Sequence, residues 1–148
     1  MRRHRFILVY RPPNSKSEDD DDPITWLSDM TSSTDQLTIL GDFNVNDCNW
    51  ELKLAKTASS KKFLDLFDSL GIEQLVHYPT RNSSILDIIV SSNDFVAVEG
   101  ILPPLGCSDH NIVSFCIRME SFFLHSYGEH KTSQCQAARF LFCKFSRN

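Results

Sequence analysis

A chain of 148 residues suffices for one domain with a core of its own. At 41% hydrophobic and 23% charged residues, it has the composition of a globular protein, not of a disordered or collagen-like one. A formal charge of -4 excludes a protein that grips nucleic acid by phosphate contacts alone, so any such role needs metal ions or a local basic patch.

In chain order, Phe6-Ile7-Leu8-Val9-Tyr10 combines β-branched and aromatic residues and is stopped by Pro12-Pro13, which predicts a buried strand. A domain that opens inside a core strand is expected to lack its beginning. Ser15 to Asp22, with Glu18 and Asp19 to Asp22 in a row, is expected to be a solvated loop kept extended by its own repulsion. Asp22-Pro23 then reads as a helix entry, with Asp as N-cap and Pro at N1, and Ile24, Leu27 and Met30 form its apolar stripe. The helix feeds a strand over Gln36 to Gly41.

That strand ends in Leu40-Gly41-Asp42-Phe43-Asn44, where an apolar run meets polar side chains at its carboxyl end. Ligand sites of layered α/β proteins lie at such ends, although Gly-Asp-x-Asn is also ordinary turn chemistry. A long loop follows over 45–56, with Trp50 expected to pack. Ser59 and Ser60 are expected to cap a helix with Phe63, Leu64, Phe67 and Leu70 on one face and Gly71 ending it at C′.

A short strand is expected over Ile72 to Val76, then a polar connection, then a strongly β-type run from Ile85 to Val90 that carries one acidic residue, Asp87. Phe95 to Val98 is expected to pair with that run. Ser108-Asp109-His110-Asn111 directly precedes a strand over Ile112 to Ile117. Beyond Met119 the apolar residues lose their period, which predicts a loosely attached helix or a segment foreign to the domain. The resulting division is 1–118 as domain and 119–148 as a poorly patterned tail.

The five cysteines are odd in number and show no C-x-x-C spacing, which fits a reducing compartment and an intracellular setting, nuclear or cytoplasmic. His125, His130, Cys135 and Cys143 match no usual metal spacing. The apolar run after Arg2, Arg3 and Arg5 is too short for a signal peptide, and none reaches the about 18 residues that cross a bilayer, so no membrane partner is expected.

A carboxylate within a buried strand costs several kcal/mol unless something compensates it, so Asp87 needs a partner. His110 is the natural one, because an Asp bound to Nδ1 fixes the tautomer and raises the basicity of Nε2. Asp109 and His110 are adjacent, so on an extended backbone they point to opposite sides, one toward a metal and one toward a substrate. Asp42 with Asn44, Asp87, and Asp109 with His110 thus arise in order at three strand edges. Oxygen-rich groups of this kind suit a hard cation such as Mg2+, and a neighbouring His suits general acid or base work on a phosphodiester.

Tyr10-Arg11-Pro12-Pro13, Gly41-Asp42-Phe43-Asn44, Tyr78-Pro79-Thr80-Arg81, Leu86-Asp87-Ile88-Ile89-Val90 and Ser108-Asp109-His110 together resemble the endonuclease/exonuclease/phosphatase superfamily. They look most like the apurinic-endonuclease-like domains that non-LTR retrotransposons fuse to a reverse transcriptase. Over about residues 5–118, the resemblance implies a partial four-layer α/β sandwich: two mixed β-sheets packed face to face, helices outside, amino-terminal strands missing. It implies a Mg2+-dependent endonuclease, with Mn2+ as an alternative ion, that cuts DNA within a retrotransposon-type polyprotein carrying a reverse transcriptase.

By the same resemblance, Asp42 positions or deprotonates the attacking water and Asn44 hydrogen-bonds the scissile phosphate. Asp109 and Asp42 stand on the metal side, His110 binds or protonates at the phosphate, Asp87 orients His110, and Tyr10 offers a phenolic donor. Members of the family carry an Asn strand and a Glu strand ahead of the Tyr-x-Pro-Pro segment, and no Glu here matches that motif. Little or no turnover is therefore expected from this chain by itself. An inactive truncated relic is the competing class, and a phosphatase branch acting on inositol phosphates or sphingomyelin is disfavoured by the Tyr-Arg-Pro-Pro and Tyr-Pro-Thr-Arg segments.

Overall fold

The structure, a computed structural model, describes residues 4–30, 36–92, 95–120 and 135–142, with 119–120 and 135–142 described by backbone alone. Strand β1 (His4–Tyr10) leads through helix α1 (Asp21–Met30) into β2 (Gln36–Asp42), which lies parallel to β1 as a strand-helix-strand crossover requires. The small hairpin β3 (Cys48–Asn49) and β4 (Leu54–Ala55) interrupts what the sequence suggested was a plain loop. Helix α2 (Ala58–Ser69), the two-residue β5 (Glu73–Gln74) and β6 (Asp87–Ser91) follow. The four strands order as β1-β2-β6-β5, with β6 antiparallel to both neighbours.

A second sheet holds β7 (Val96–Leu102), β8 (Ile112–Glu120) and β9 (Cys135–Phe142), all antiparallel. Phe95 to Val98 was expected beside β6. Instead β7 crosses to this sheet and pairs with β8, whose inward residues Val113, Phe115 and Ile117 give it a closer apolar match. Residues 135–142 form a strand, not a helix, along the far edge of β8. His125, His130 and Cys143 lie outside the described residues, as does the side chain of Cys135.

The alternation of side chains along each strand gives the first sheet two different apolar faces. Ile7 of β1, Leu37 and Ile39 of β2, and Ile88 and Val90 of β6 face the helices, against Leu27 of α1 and Phe63, Leu66 and Phe67 of α2. Leu40 of β2 and Ile89 of β6 face the other way, against Val96, Val113, Phe115 and Ile117 of the second sheet. The layers are therefore helices, mixed sheet and antiparallel sheet. Phe43, fully buried, meets Phe63 edge-on at 5.2 Å between ring centroids and Phe67 at 5.8 Å, which fastens the segment after β2 to α2. Trp50 stacks on Phe67 at 6.2 Å and so takes the expected packing role.

Helix ends differ from expectation in detail. Thr57, not Ser59 or Ser60, is the N-cap of α2 and accepts from the Ser60 N–H. The buried face uses Leu66 in place of Leu64. Gly71, at φ +62°, ends the helix as expected: its N–H reaches the Asp68 carbonyl and the next N–H reaches Phe67, a Schellman closure. Helix α1 starts at Asp21, two residues before the Pro23 read as its first, and the Ile24 N–H bonds the Asp20 carbonyl.

Asp20 departs furthest from the sequence reading. It is 2% exposed, not solvated, because it takes the Arg11 guanidinium on both carboxylate oxygens, at 2.6 Å from Nε and 3.1 Å from Nη2.

Candidate active site

Register alone builds the first part of the site. Tyr10 is the pairing partner of Asp42, and Asp42 is the partner of Asp87, so the three side chains form one row across β1, β2 and β6. Position parity with Leu40 and Ile89 puts the row on the face turned toward the second sheet, at the sheet's end. Asp42 and Asp87 are each 1% exposed, whereas Tyr10 is 58% exposed at the open edge.

The row depends on a close backbone approach. At Gly41, φ is +148°, and a β-carbon there would lie 1.8 Å from the Val9 carbonyl oxygen. No other residue fits between β1 and β2 at this point. Beyond Asp42 the chain turns sharply at Asn44, φ +49°, where the Asn44 N–H bonds Asp42 Oδ1 at 3.1 Å. Asn44 Nδ2 donates to the Arg11 carbonyl at 2.7 Å, and Arg11 N–H donates to the Asp42 carbonyl at 2.8 Å. Asn44 thus ties the ends of β1 and β2 together and stands one step away from the carboxylates.

His110, 1% exposed, comes from the residue pair preceding β8 and enters the row from the opposite sheet. Its Nδ1 lies 2.7 Å from Asp87 Oδ2, which is the pairing expected for a carboxylate on that strand. Because an ionised carboxylate only accepts, the ring donates through Nδ1, which leaves Nε2 for a different partner. Ser108 fixes the turn, its Oγ accepting from the His110 N–H at 3.1 Å.

Burial pushes the Asp87 carboxyl above its ordinary value of 3.8, and the charge of Asp42 pushes it the same way, while hydrogen bonds from Thr80 and His110 oppose them. Asp87 Oδ1 is buried without a hydrogen-bond partner among the described residues. Asp42, Asp87 and His110 each bring one ligand atom to within 4.8 Å of the others, so the group can hold a metal ion. Two facing carboxylates, one with an unused buried oxygen, fit a divalent cation, since it would offset both their repulsion and the orphaned lone pairs.

Asp109 does not join this group. It points outward, 45% exposed, and pairs with Arg81 Nη2 at 2.5 Å, and its Oδ1 stands 3.9 Å from His110 Nε2. The opposite orientation of Asp109 and His110 expected from an extended backbone is present, but an arginine, not the other carboxylates, receives Asp109.

Thr80 has no counterpart in the sequence reading beyond its place in a motif. It is fully buried, and its Oγ1 accepts from the N–H groups of Leu86 and Asp87, both at 3.0 Å. Its carbonyl takes the Asn111 N–H at 2.7 Å, so one residue pins the start of β6 to the segment carrying His110. A Thr in a polar loop carries no sequence signal for this, because the bonds it makes are to backbone.

Among the described residues no helix is long and apolar enough to cross a membrane. No curated protein matches the chain. A solved structure titled as the endonuclease domain of TRAS1, a telomere-specific non-LTR retrotransposon, is similar in fold at a TM-score of 0.59 and 21% identity. That likeness covers 77% of this chain and 58% of the other, so the chain spans little more than half of the domain it matches. Residues 4–114, well over half of the chain, match the profile described as endonuclease-reverse transcriptase. Those residues contain the whole row and its histidine, and the chain belongs to the endonuclease-reverse transcriptase family.

Proposed function

We propose that the chain is the phosphodiester-cleaving part of a retrotransposon-type endonuclease acting on DNA with Mg2+, or Mn2+ in its place. The observation that carries this is the in-register row Tyr10, Asp42, Asp87 closed by a His110 whose Nδ1 is occupied and whose Nε2 is not. Asp42 accepts a proton from, or orients, the attacking water. His110, charged and with a proton on each ring nitrogen, donates from Nε2 to the phosphate and gives that proton to the departing oxygen, with Asp87 holding the ring through Nδ1 and stabilising its charged form. The Tyr10 phenol donates to a phosphate oxygen at the open edge. Asn44 keeps one amide hydrogen for the phosphate while the other holds Arg11.

Asp42 and Asp87 Oδ1 would hold the cation, and the cation supplies charge neutralisation at the phosphate. Asp109 reaches the cation side only by leaving Arg81. With two carboxylates in the described group, turnover is expected to be slow. A reverse transcriptase in the same polyprotein is the expected partner, and an intracellular compartment, nuclear or cytoplasmic, the expected setting.

The test is incubation of the purified chain with supercoiled plasmid and Mg2+. Slow nicking that chelation stops and His110→Ala abolishes supports the reading. No nicking across a full range of Mg2+ and Mn2+ leaves a relic that keeps the fold without turnover.

A further inference from the structure

Arg81 sits on a tightly held corner. The Arg81 N–H bonds the Ser84 carbonyl at 3.1 Å, the Ser84 N–H returns to the Arg81 carbonyl at 2.9 Å, and Asn82 between them adopts φ +51°. Thr80, next in chain, is pinned to both Asp87 and Asn111 as described above. The arginine backbone is therefore fixed to the two segments that carry the Asp87–His110 pair. Its side chain is 38% exposed and its Nη2 bonds Asp109 Oδ2, while its Nε is buried with no hydrogen-bond partner among the described residues. The other oxygen of Asp109 is the one 3.9 Å from His110 Nε2.

A half-exposed arginine thus stands one carboxylate away from the free nitrogen of the buried histidine. A planar fork with an unused buried N–H suits a bidentate oxyanion better than it suits a single carboxylate oxygen. The chain also carries a net charge of -4, so a cation at this rim matters more to an anionic substrate than it would on a basic protein.

We propose that Arg81 binds a non-bridging oxygen of the phosphodiester, and that Asp109 is the resident anion it gives up to do so. Asp109 acts as a placeholder: it keeps the guanidinium aimed at the site before the substrate arrives, and the arriving phosphate exchanges with it. The proposal rests on the phosphodiesterase reading above and adds to it a substrate-binding residue. It also accounts for the outward position of Asp109, whose release on exchange frees its carboxylate.

The test uses the full chain, a short fluorescent DNA duplex and excess EDTA, so that binding is read without cutting. Arg81→Ala is expected to weaken binding roughly tenfold and to lower the slope of log K against log salt by about one. Arg81→Lys should keep the slope and lose part of the affinity. Asp109→Asn should tighten binding at low salt, and that gain should vanish when Arg81→Ala is added. Thermal unfolding of each variant checks that the fold survives.

If the wild-type chain shows no salt-sensitive binding in EDTA, the Arg81 proposal fails, and the phosphodiesterase reading falls with it only where Mg2+-dependent nicking is absent too. Salt-sensitive wild-type binding that Arg81→Ala leaves unchanged overturns the Arg81 assignment alone. A gain from Asp109→Asn that persists in the Arg81→Ala background overturns the exchange, since it would report general charge repulsion.

Discussion

Two arginine–aspartate pairs flank the row of site residues, and they differ in almost everything except chemistry. The side chains of Arg11 and Asp20 are 8% and 3% exposed and meet through two hydrogen bonds, and Arg11 spends its remaining guanidinium donors on the Ser15 and Asn44 carbonyls and the Ser59 hydroxyl. Arg81 and Asp109 are 38% and 45% exposed and meet at one contact. The first pair fastens the acidic segment before α1 to the ends of β1 and β2. The second is held in water, where the attraction is small and the partner replaceable. Burial, not residue type, decides which pair serves the fold and which is available for a ligand.

Five changes sharpen that contrast, in descending order of effect on stability. Gly41→Ala puts a β-carbon into the Val9 carbonyl on the buried side of the contrast. It should cost more than about 4 kcal/mol and yield little folded protein by circular dichroism. Arg11→Met strands the Asp20 carboxylate and should cost about 3–5 kcal/mol in urea unfolding, with Arg11→Met/Asp20→Leu recovering most of it. A single variant no worse than the double would show that Asp20 finds water instead.

A smaller loss, about 1 kcal/mol, is expected for Thr57→Ala, which removes the α2 cap. Asp47 belongs to the same cap, receiving the Thr57 N–H at 2.6 Å. Burial would raise Asp47, but bonds from Ser60 and Thr57 outweigh it and hold the carboxyl below 3.8. The stability it supplies is therefore complete above pH 3.8 and is lost as pH falls through the lowered value. Asp47→Asn should flatten that acid limb, measured as unfolding midpoint against pH. Arg81→Ala comes last, with about 0–1 kcal/mol in the same unfolding experiment. A loss as large as that at Arg11 would erase the distinction between the pairs.

How far the sequence revealed this depends on whether a signal is local. Strands with a clear apolar run, such as β1, β2 and β6, and the Gly71 helix end were readable because alternation and αL chemistry act within a few residues. Strand β1 is nevertheless not the buried strand expected: it lies at the edge of its sheet, with Ile7 alone of its residues buried and Leu8 and Tyr10 exposed. Asp87 and His110 were also readable as partners, since a charge inside an apolar strand demands one. The crossing of β7 to the second sheet was not, because Phe95 to Val98 is equally apolar for either neighbour and the choice lies in the side chains of β8. Nor was the burial of Asp20, one of four like residues in a row and distinguished only by an arginine nine positions earlier. The contact between Asp109 and Arg81 was not legible either, because Arg81 approaches from 28 positions away.

The pairing of Asp42 with Asp87 also guards the assembly of the sheet. A strand slipped by one residue turns every side chain to the opposite face. Were β6 to dock on β2 one position out, Asp87 would exchange sides with Ile88 and be forced among Leu27, Phe63 and Phe67 with no histidine to meet it. The residue proposed to orient the reaction thereby penalises each misaligned sheet during folding, so a chain that has settled into its stable register has already assembled its row.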